Sequence, residues 1–389
     1  MKINDVSIVR VSGLYTPPDI PRGDRQAVQL DAYPEFNVGD HRGGREPHTI
    51  QALYLEIGTD AGITGIWGPI DGYQTHAILA TLRPLLLGRD PLATELLFDL
   101  MIRMDRHGRS GYFMTSVSAV DCALWDLKGK AWGQPVYRLL GGPTRDVLPA
   151  YASMLSFSIE PSAAAKTAVE YKQMGYLAQK WFFRHGPGDG AVGMEKNLAM
   201  AHAVRDAVGP HYRLMFDAFM AWDFPYAREM LRELEAVKLV WMEEPMPPER
   251  VGSFAELRRG TRVPIATGEH IYTRWQTKEL LVQGAIDYLQ NDPDWTGGIT
   301  ELTKVCALAS SFDTPVVAHG HSLLPALHVA AAQSPTAVPW VEFLVHHQPH
   351  KQNFSTHFTQ PVNGHIELPT LTGLGFVLDE SKIDSRETL

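Results

Sequence analysis

The sequence predicts an α/β fold in which a parallel barrel of alternating strands and helices follows a smaller α+β domain. Three observations lead there. A length of 389 residues exceeds what one hydrophobic core usually carries. Up to about residue 130, a few alternating runs precede a block of helical periodicity, and after Pro149 short apolar runs alternate with amphipathic stretches instead.

In the first domain, residues 5–11 and 52–57 alternate or carry β-branched side chains. The second run ends at the turn Asp60-Ala61-Gly62 ahead of 63–67, which reads as an antiparallel meander. Residues 15–48, dense in Pro, Gly, Arg and Asp, are too long for an idle connection and read as a lid or a disordered segment. From residue 75 the period becomes helical, over 76–87, 91–104 and 115–132. The apolar runs that follow are 150–154, 179–183, 213–217, 239–243, 264–269, 288–292, 315–319 and 339–343, and helices such as 161–174, 194–208, 225–237, 254–259, 277–283 and 298–312 fit between them. Repeated β-then-α units of this length make a parallel barrel, whose active site lies at the carboxyl ends of its strands. The polar tail has no further unit to join and is expected to return to the first domain. The expected division is 1–130, 131–349 and 350–389.

Composition excludes other classes. The apolar share of 44% and charged share of 20% are those of an ordinary globular chain, and the net charge of −9 repels phosphate backbones and anionic membranes. No run is apolar and long enough to span a bilayer, and Asp5 and Arg10 interrupt the first apolar positions, so a cytoplasmic protein is expected. Cys122 and Cys306 sit among apolar helical neighbours and read as core residues.

The strand ends carry the chemistry. Asp217, Glu243 and Glu269 close three successive runs at equal intervals of 26 residues. Neighbouring strand ends lie side by side at a barrel mouth, so three carboxylates meet there and repel unless a cation sits among them; hard oxygen donors select Mg²⁺. The ladder continues with Asp292, His319 and Glu342 in the next three runs. A His beside an Asp on adjacent strands suggests a base whose tautomer the carboxylate sets. Lys180, within the second run, would bring a cation toward a substrate carboxylate. The run HGPGDGAVG from His185 reads as a long second βα loop rather than a nucleotide site, and His346, His347 and His350 read as a solvated rim. Tyr33 and Arg42, in the segment 15–48, and Trp295, after the sixth run, are further candidates to line a binding pocket.

These residues resemble a known family. AVDCALWDLKGKAWGQPVYRLLGG, MFDAFM, WMEEP, TGEH, LQNDPDWTGGIT, VVAHGHS and PVNGHIELPTLTGLGFVLD together are similar to the mandelate racemase-like group of the enolase superfamily, nearest its acid sugar dehydratases. The resemblance implies a modified TIM (β/α) barrel closed by an α+β capping domain. It implies Mg²⁺ on Asp217, Glu243 and Glu269, the first Glu of WMEEP and not Glu244. It implies His319 with Asp292 as general base, Lys180 as partner of the substrate carboxylate, Glu342 as hydrogen-bond donor or positioning group, and His270 and His185 beside the substrate. Racemases of the group carry Lys-x-Lys on the second strand; here Phe182 replaces the second lysine, which favours β-elimination. The expected reaction is dehydration of an aldonate such as L-rhamnonate or L-lyxonate to a 2-keto-3-deoxy sugar acid. Its rivals are epimerisation, racemisation or cycloisomerisation through the same enediolate, and non-catalytic sugar-acid binding. The expected partners are the small sugar acid and further copies of the chain, with no nucleic acid or membrane.

Overall fold

The computed structural model describes residues 1–37 and 46–389. Two sheets organise them. Strands β1 (Ile3–Tyr15), β2 (His48–Thr59) and β3 (Thr64–Ile70) form an antiparallel meander. Its inward residues, among them Val6, Ile8, Leu55 and Trp67, pack in one core with Met114, Val117, Val120 and Leu124 of the helix Gly111–Ala131.

The second sheet is the parallel barrel wall. Its strands are β4 (Val147–Ser153), β5 (Ala178–Phe182), β6 (Arg213–Asp217), β7 (Trp241–Glu243), β8 (Ile265–Thr267), β9 (Tyr288–Leu289) and β10 (Val341–Leu344). They follow chain order around the wall, and β10 closes on β4 with Val341 opposite Ala150. The seventh expected strand is a correction to the sequence reading: residues 315–319 make one parallel bridge, Leu289 to Val316, and the Val316 N–H turns to Ala337 O at 2.8 Å. Pro315 has no N–H for a ladder. Between this segment and β10 lies the helix Leu323–Ala332. Strand β11 (His365–Glu367) runs antiparallel to β4, and β12 (Ser385–Thr388) pairs with β1, so the chain end follows the barrel before it rejoins the first sheet. Among the described residues no helix is long and apolar enough to cross a membrane.

Alternation along the strands sets the site above an apolar floor. Ala178, Met215, Trp241 and Val317 cluster in the barrel with Tyr151 and Ala266. Lys180, Asp217, Glu243 and His319 lie two residues further along the same four segments, which places them one layer nearer the carboxyl ends. Two clasps hold the first domain over this mouth. The helix Gly111–Ala131 reaches the barrel helix Gly298–Ser310 and its lead-in: Ser118 Oγ accepts from Gly297 N–H, Asp121 Oδ2 from Thr300 N–H, and Trp125 Nε1 donates to Thr300 Oγ1 at 2.8 Å. The segment after β1 crosses the second strand end, where Asp31 accepts from Arg25 at 2.5 and 2.9 Å and from Arg184 at 3.3 Å, and Ala27 N–H donates to Phe183 O.

His328 carries a pH expectation. It is wholly buried on the helix Leu323–Ala332, its Nδ1 accepts from Tyr137 N–H at 3.1 Å, and burial pushes its pKa down to about 4. The native state holds the neutral form, so this contribution is present above the unfolded value of 6.5 and is lost as pH falls toward 4. A shift of this size is worth about 3 kcal/mol. His328→Asn is expected to flatten the fall in Tm between pH 7 and pH 4.5 measured by scanning calorimetry; an unchanged slope would assign the acid sensitivity elsewhere.

Candidate active site

The in-register pairing of β6 with β7 puts Asp217 beside Glu243, both almost wholly buried. Glu269 arrives differently. It follows Gly268, whose φ of +134° re-aims the chain and whose hydrogen stands where a Cβ would come within 2.9 Å of Leu289 Cδ1 and 3.0 Å of Gln290 N. Equal spacing in the sequence therefore reaches the mouth through unequal geometry.

Glu243 has no idle oxygen. One meets the Lys180 ammonium; the other accepts from Trp241 Nε1 at 2.8 Å and Gln290 Nε2 at 2.5 Å. Glu244, which sequence reasoning passed over, turns to the mouth with φ +39° and faces Thr267 Oγ1 at 3.2 Å and His270 Nδ1 at 3.3 Å. Glu244, Glu269 and His270 accordingly offer ligand atoms within 4.8 Å of one another. Spacing and strand alternation select Glu243 for the barrel interior; that Glu244 also turns toward the mouth is decided by the backbone at the strand end.

His319 and Asp292 come together as the spacing suggested. His319 Nδ1 lies 3.1 Å from Asp292 Oδ2, so Nδ1 carries the hydrogen and Nε2 is left toward Glu269 Oε2 at 3.6 Å. Asp292 is fixed in turn by Ser322 Oγ at 2.7 Å and by the Asp294 N–H at 2.7 Å. Burial alone would lower the imidazole's pKa, but Glu269 and the Asp292 hydrogen bond outweigh it and push it up to about 10. Trp295 stacks on His319 with centroids 4.8 Å apart and meets His270 at 5.4 Å.

Lys180, expected to face a substrate carboxylate, is 1% exposed and has carboxylates of the protein around its ammonium. Besides Glu243, its ammonium lies 2.9 Å from Glu342 Oε1 and 3.3 Å from Asp217 Oδ2. A charge buried among carboxylates is held by them, so Lys180 acts first as the counter-ion of the barrel interior. Glu342 also accepts from Gly320 N–H at 2.8 Å. Burial would raise its pKa, yet Lys180 and His319 hold it below the ordinary carboxylate value, so it is an ionised acceptor and suits positioning better than donation.

The remaining expected residues scatter. His185 points to Asp189 at 3.4 Å, and its carbonyl accepts from Trp222 Nε1 and Asn197 Nδ2. Tyr33 is exposed and, with Gly186, Pro187, Met220, Trp222 and Arg250, lines a cleft of about 330 Å³ between the first domain and the strand-end loops. Arg42 lies outside the described residues. The expected long second βα loop is instead a short turn, Pro187–Asp189, and the helix Gly190–Val208; Asp189 accepts from Gly186 N–H at 3.0 Å, and Gly193 lets the helix pack against the His185 and Asp189 side chains. His346 is no rim residue: it is buried against Phe157, centroids 4.4 Å apart, and burial pushes its pKa down to about 4.

The donor set fits a hard divalent cation. Burial raises the pKa of Asp217 and of Glu269 to about 7; after burial, Glu269 and Glu244 raise Asp217 further, and Glu244 raises Glu269, against the lowering by Lys180 and His319. Oxygens that hold protons on one another in this way are what an added positive charge relieves.

Known proteins agree with this architecture. Residues 46–141 match the mandelate racemase / muconate lactonizing enzyme N-terminal domain, and 163–382 the enolase C-terminal domain-like family. L-rhamnonate dehydratase of Saccharopolyspora erythraea is 33% identical over 369 residues, 92% of this chain and 90% of that protein. The crystal structure of rhamnonate dehydratase from Gibberella zeae complexed with Mg superposes with a TM-score of 0.84 at 28% identity, covering 98% of this chain and 96% of that one. The 3,6-anhydro-D-galactonate cycloisomerase of Zobellia galactanivorans superposes with a TM-score of 0.79 at 28% identity, over 99% of this chain and 100% of that one.

Proposed function

The chain belongs to the mandelate racemase / muconate lactonizing enzyme family, and from that premise we propose that it is a Mg²⁺-dependent hydro-lyase that dehydrates a sugar acid. The substrate we assign is an aldonate such as L-rhamnonate or L-lyxonate, which the relatives' names support.

Asp217, Glu243 and Glu269 would hold the metal. When bound, Mg²⁺ draws electron density from the substrate's carboxylate and makes the C2 proton more acidic. Once the charge of Glu269 is offset, the His319 imidazole that this carboxylate keeps protonated becomes neutral, and Nε2, with Nδ1 committed to Asp292, takes that proton. The imidazolium then returns a proton to the 3-hydroxyl as the C3–O bond breaks, water leaves, and the enol tautomerises to the 2-keto-3-deoxy acid. Lys180 keeps positive charge beneath the reacting carboxylate, and Glu342 orients it. Trp295 covers one face of the base, with His270 alongside, and Tyr33 lines a neighbouring cleft from which it would reach only a distal part of the substrate.

The observation that carries elimination over racemisation is Phe182. Its register partner is Asp217, and it occupies the second-strand position from which a lysine would act as a second base. A ring there cannot return a proton to the opposite face of C2. Cycloisomerisation stays in view through the Zobellia galactanivorans relative. Incubation with a panel of aldonic and aldaric acids plus Mg²⁺, read by 2-keto acid formation and product mass, is expected to give a product lighter by one water. A product of unchanged mass would favour the cycloisomerase reading, and no product from any acid would overturn the enzyme assignment.

A further inference from the structure

A second acid–imidazole pair stands beside the first. Asp294 and His321 follow Asp292 and His319 by two residues each, and His321 Nδ1 lies 3.0 Å from Asp294 Oδ2. It is poorly suited to proton transfer, because the Lys351 ammonium faces both ring nitrogens, at 2.9 and 3.1 Å, and also donates to His321 O at 2.8 Å. Its contacts point to a different task.

Asp294 is 8% exposed, and its backbone N–H and both carboxylate oxygens have partners. Its backbone N–H donates to Asp292 Oδ1 at 2.7 Å, holding the carboxylate that orients His319. Its Oδ1 accepts from Trp67 Nε1 at 2.7 Å, and Trp67 belongs to β3 of the first domain. Its Oδ2 takes His321, with Lys351 at 3.6 Å. The next residue, Trp295, packs beside both imidazoles, 4.8 Å from His319 and 5.1 Å from His321, which are themselves 6.3 Å apart. His319 is therefore set by Asp292 at one edge and Trp295 on one face; Asp294 holds the first through its backbone N–H and directly precedes the second in the chain.

We infer that Asp294 is a positioning residue for the His319–Asp292 pair, and that the Trp67–Asp294 hydrogen bond is the means by which the capping domain sets the rate of C2-proton removal. Trp67→Phe removes the indole N–H and keeps an aromatic ring in the core. Asp294→Ala removes the acceptor for both Trp67 and His321, and carries the test if the first variant does not fold. This inference rests on the dehydratase reading.

The test uses the full chain with Mg²⁺, the sugar acid that it turns over, and that acid deuterated at C2. In both variants kcat is expected to fall by roughly ten- to a hundredfold, as a slightly misplaced base does. KM and Mg²⁺ affinity are expected to stay unchanged, and the primary deuterium isotope effect to rise as proton removal becomes the slow step. Trp125→Phe breaks another bond between the domains, onto Thr300, and is expected to lower Tm without changing the isotope effect. A wild-type isotope effect in both variants, whether kcat holds or falls, would overturn the inference. If the wild-type protein releases no C2 deuterium from any sugar acid, the dehydratase reading fails and this inference falls with it. If it releases deuterium and both variants match its rate, this inference alone fails.

Discussion

His319→Asn is expected to lower turnover of the sugar acid by roughly a hundred- to ten-thousandfold, the range for losing a general base, and to abolish C2 exchange in deuterated water. The geometry assigns this residue two duties. Its Nδ1 is tied to Asp292 at 3.1 Å, so Nε2 alone is available both to take the C2 proton and to return one to the leaving hydroxyl. Asparagine does neither. Asp292→Asn is expected to be milder but still severe, because a neutral partner no longer favours the imidazolium and permits the wrong tautomer. NMR of recovered substrate, run beside the rate assay, separates the steps. Exchange at the wild-type rate in His319→Asn would show that another group removes the proton, His270 beside Glu269 being one candidate.

Removal of divalent metal is expected to abolish activity, and Mg²⁺ to restore it, since several kcal/mol of transition-state stabilisation depends on the ion. The carboxylates also make a prediction that needs no substrate. Burial and its acidic neighbours raise the pKa of Asp217 from its ordinary 3.8 to about 7, so its charge destabilises the metal-free fold as pH rises through that window. Asp217→Asn is thus expected to raise the Tm of metal-free protein at pH 8 and to erase the further rise that Mg²⁺ produces in the wild type. A fall in metal-free Tm, or an intact response to Mg²⁺, would mean that Asp217 serves the fold and not the metal. Glu243→Gln and Glu244→Gln, compared by calorimetric Mg²⁺ titration, decide between the adjacent glutamates: loss of binding is expected in the first and retention in the second. The reverse result would place the ligand on the side chain that already faces Glu269 and His270.

The sequence by itself determined much of this protein. Alternation placed Met215 under Asp217 and Trp241 under Glu243. The recurring β-then-α period brought Asp217, Glu243, Asp292 and His319 to one end of a barrel, because a parallel strand order turns regular spacing along the chain into adjacency in space. Only the tertiary structure decided the rest. Lys180 is committed to Glu243, Glu342 and Asp217, a choice made by burial and not by its own position in a strand. Glu244 and Glu243 part company through one backbone torsion at the strand end. Trp67 reaches Asp294, and Asp31 reaches Arg184, across separations of 227 and 153 residues, and no periodicity encodes a contact between two domains. Local patterns determine which elements form and which face each presents, while pairings between those faces depend on how the elements pack.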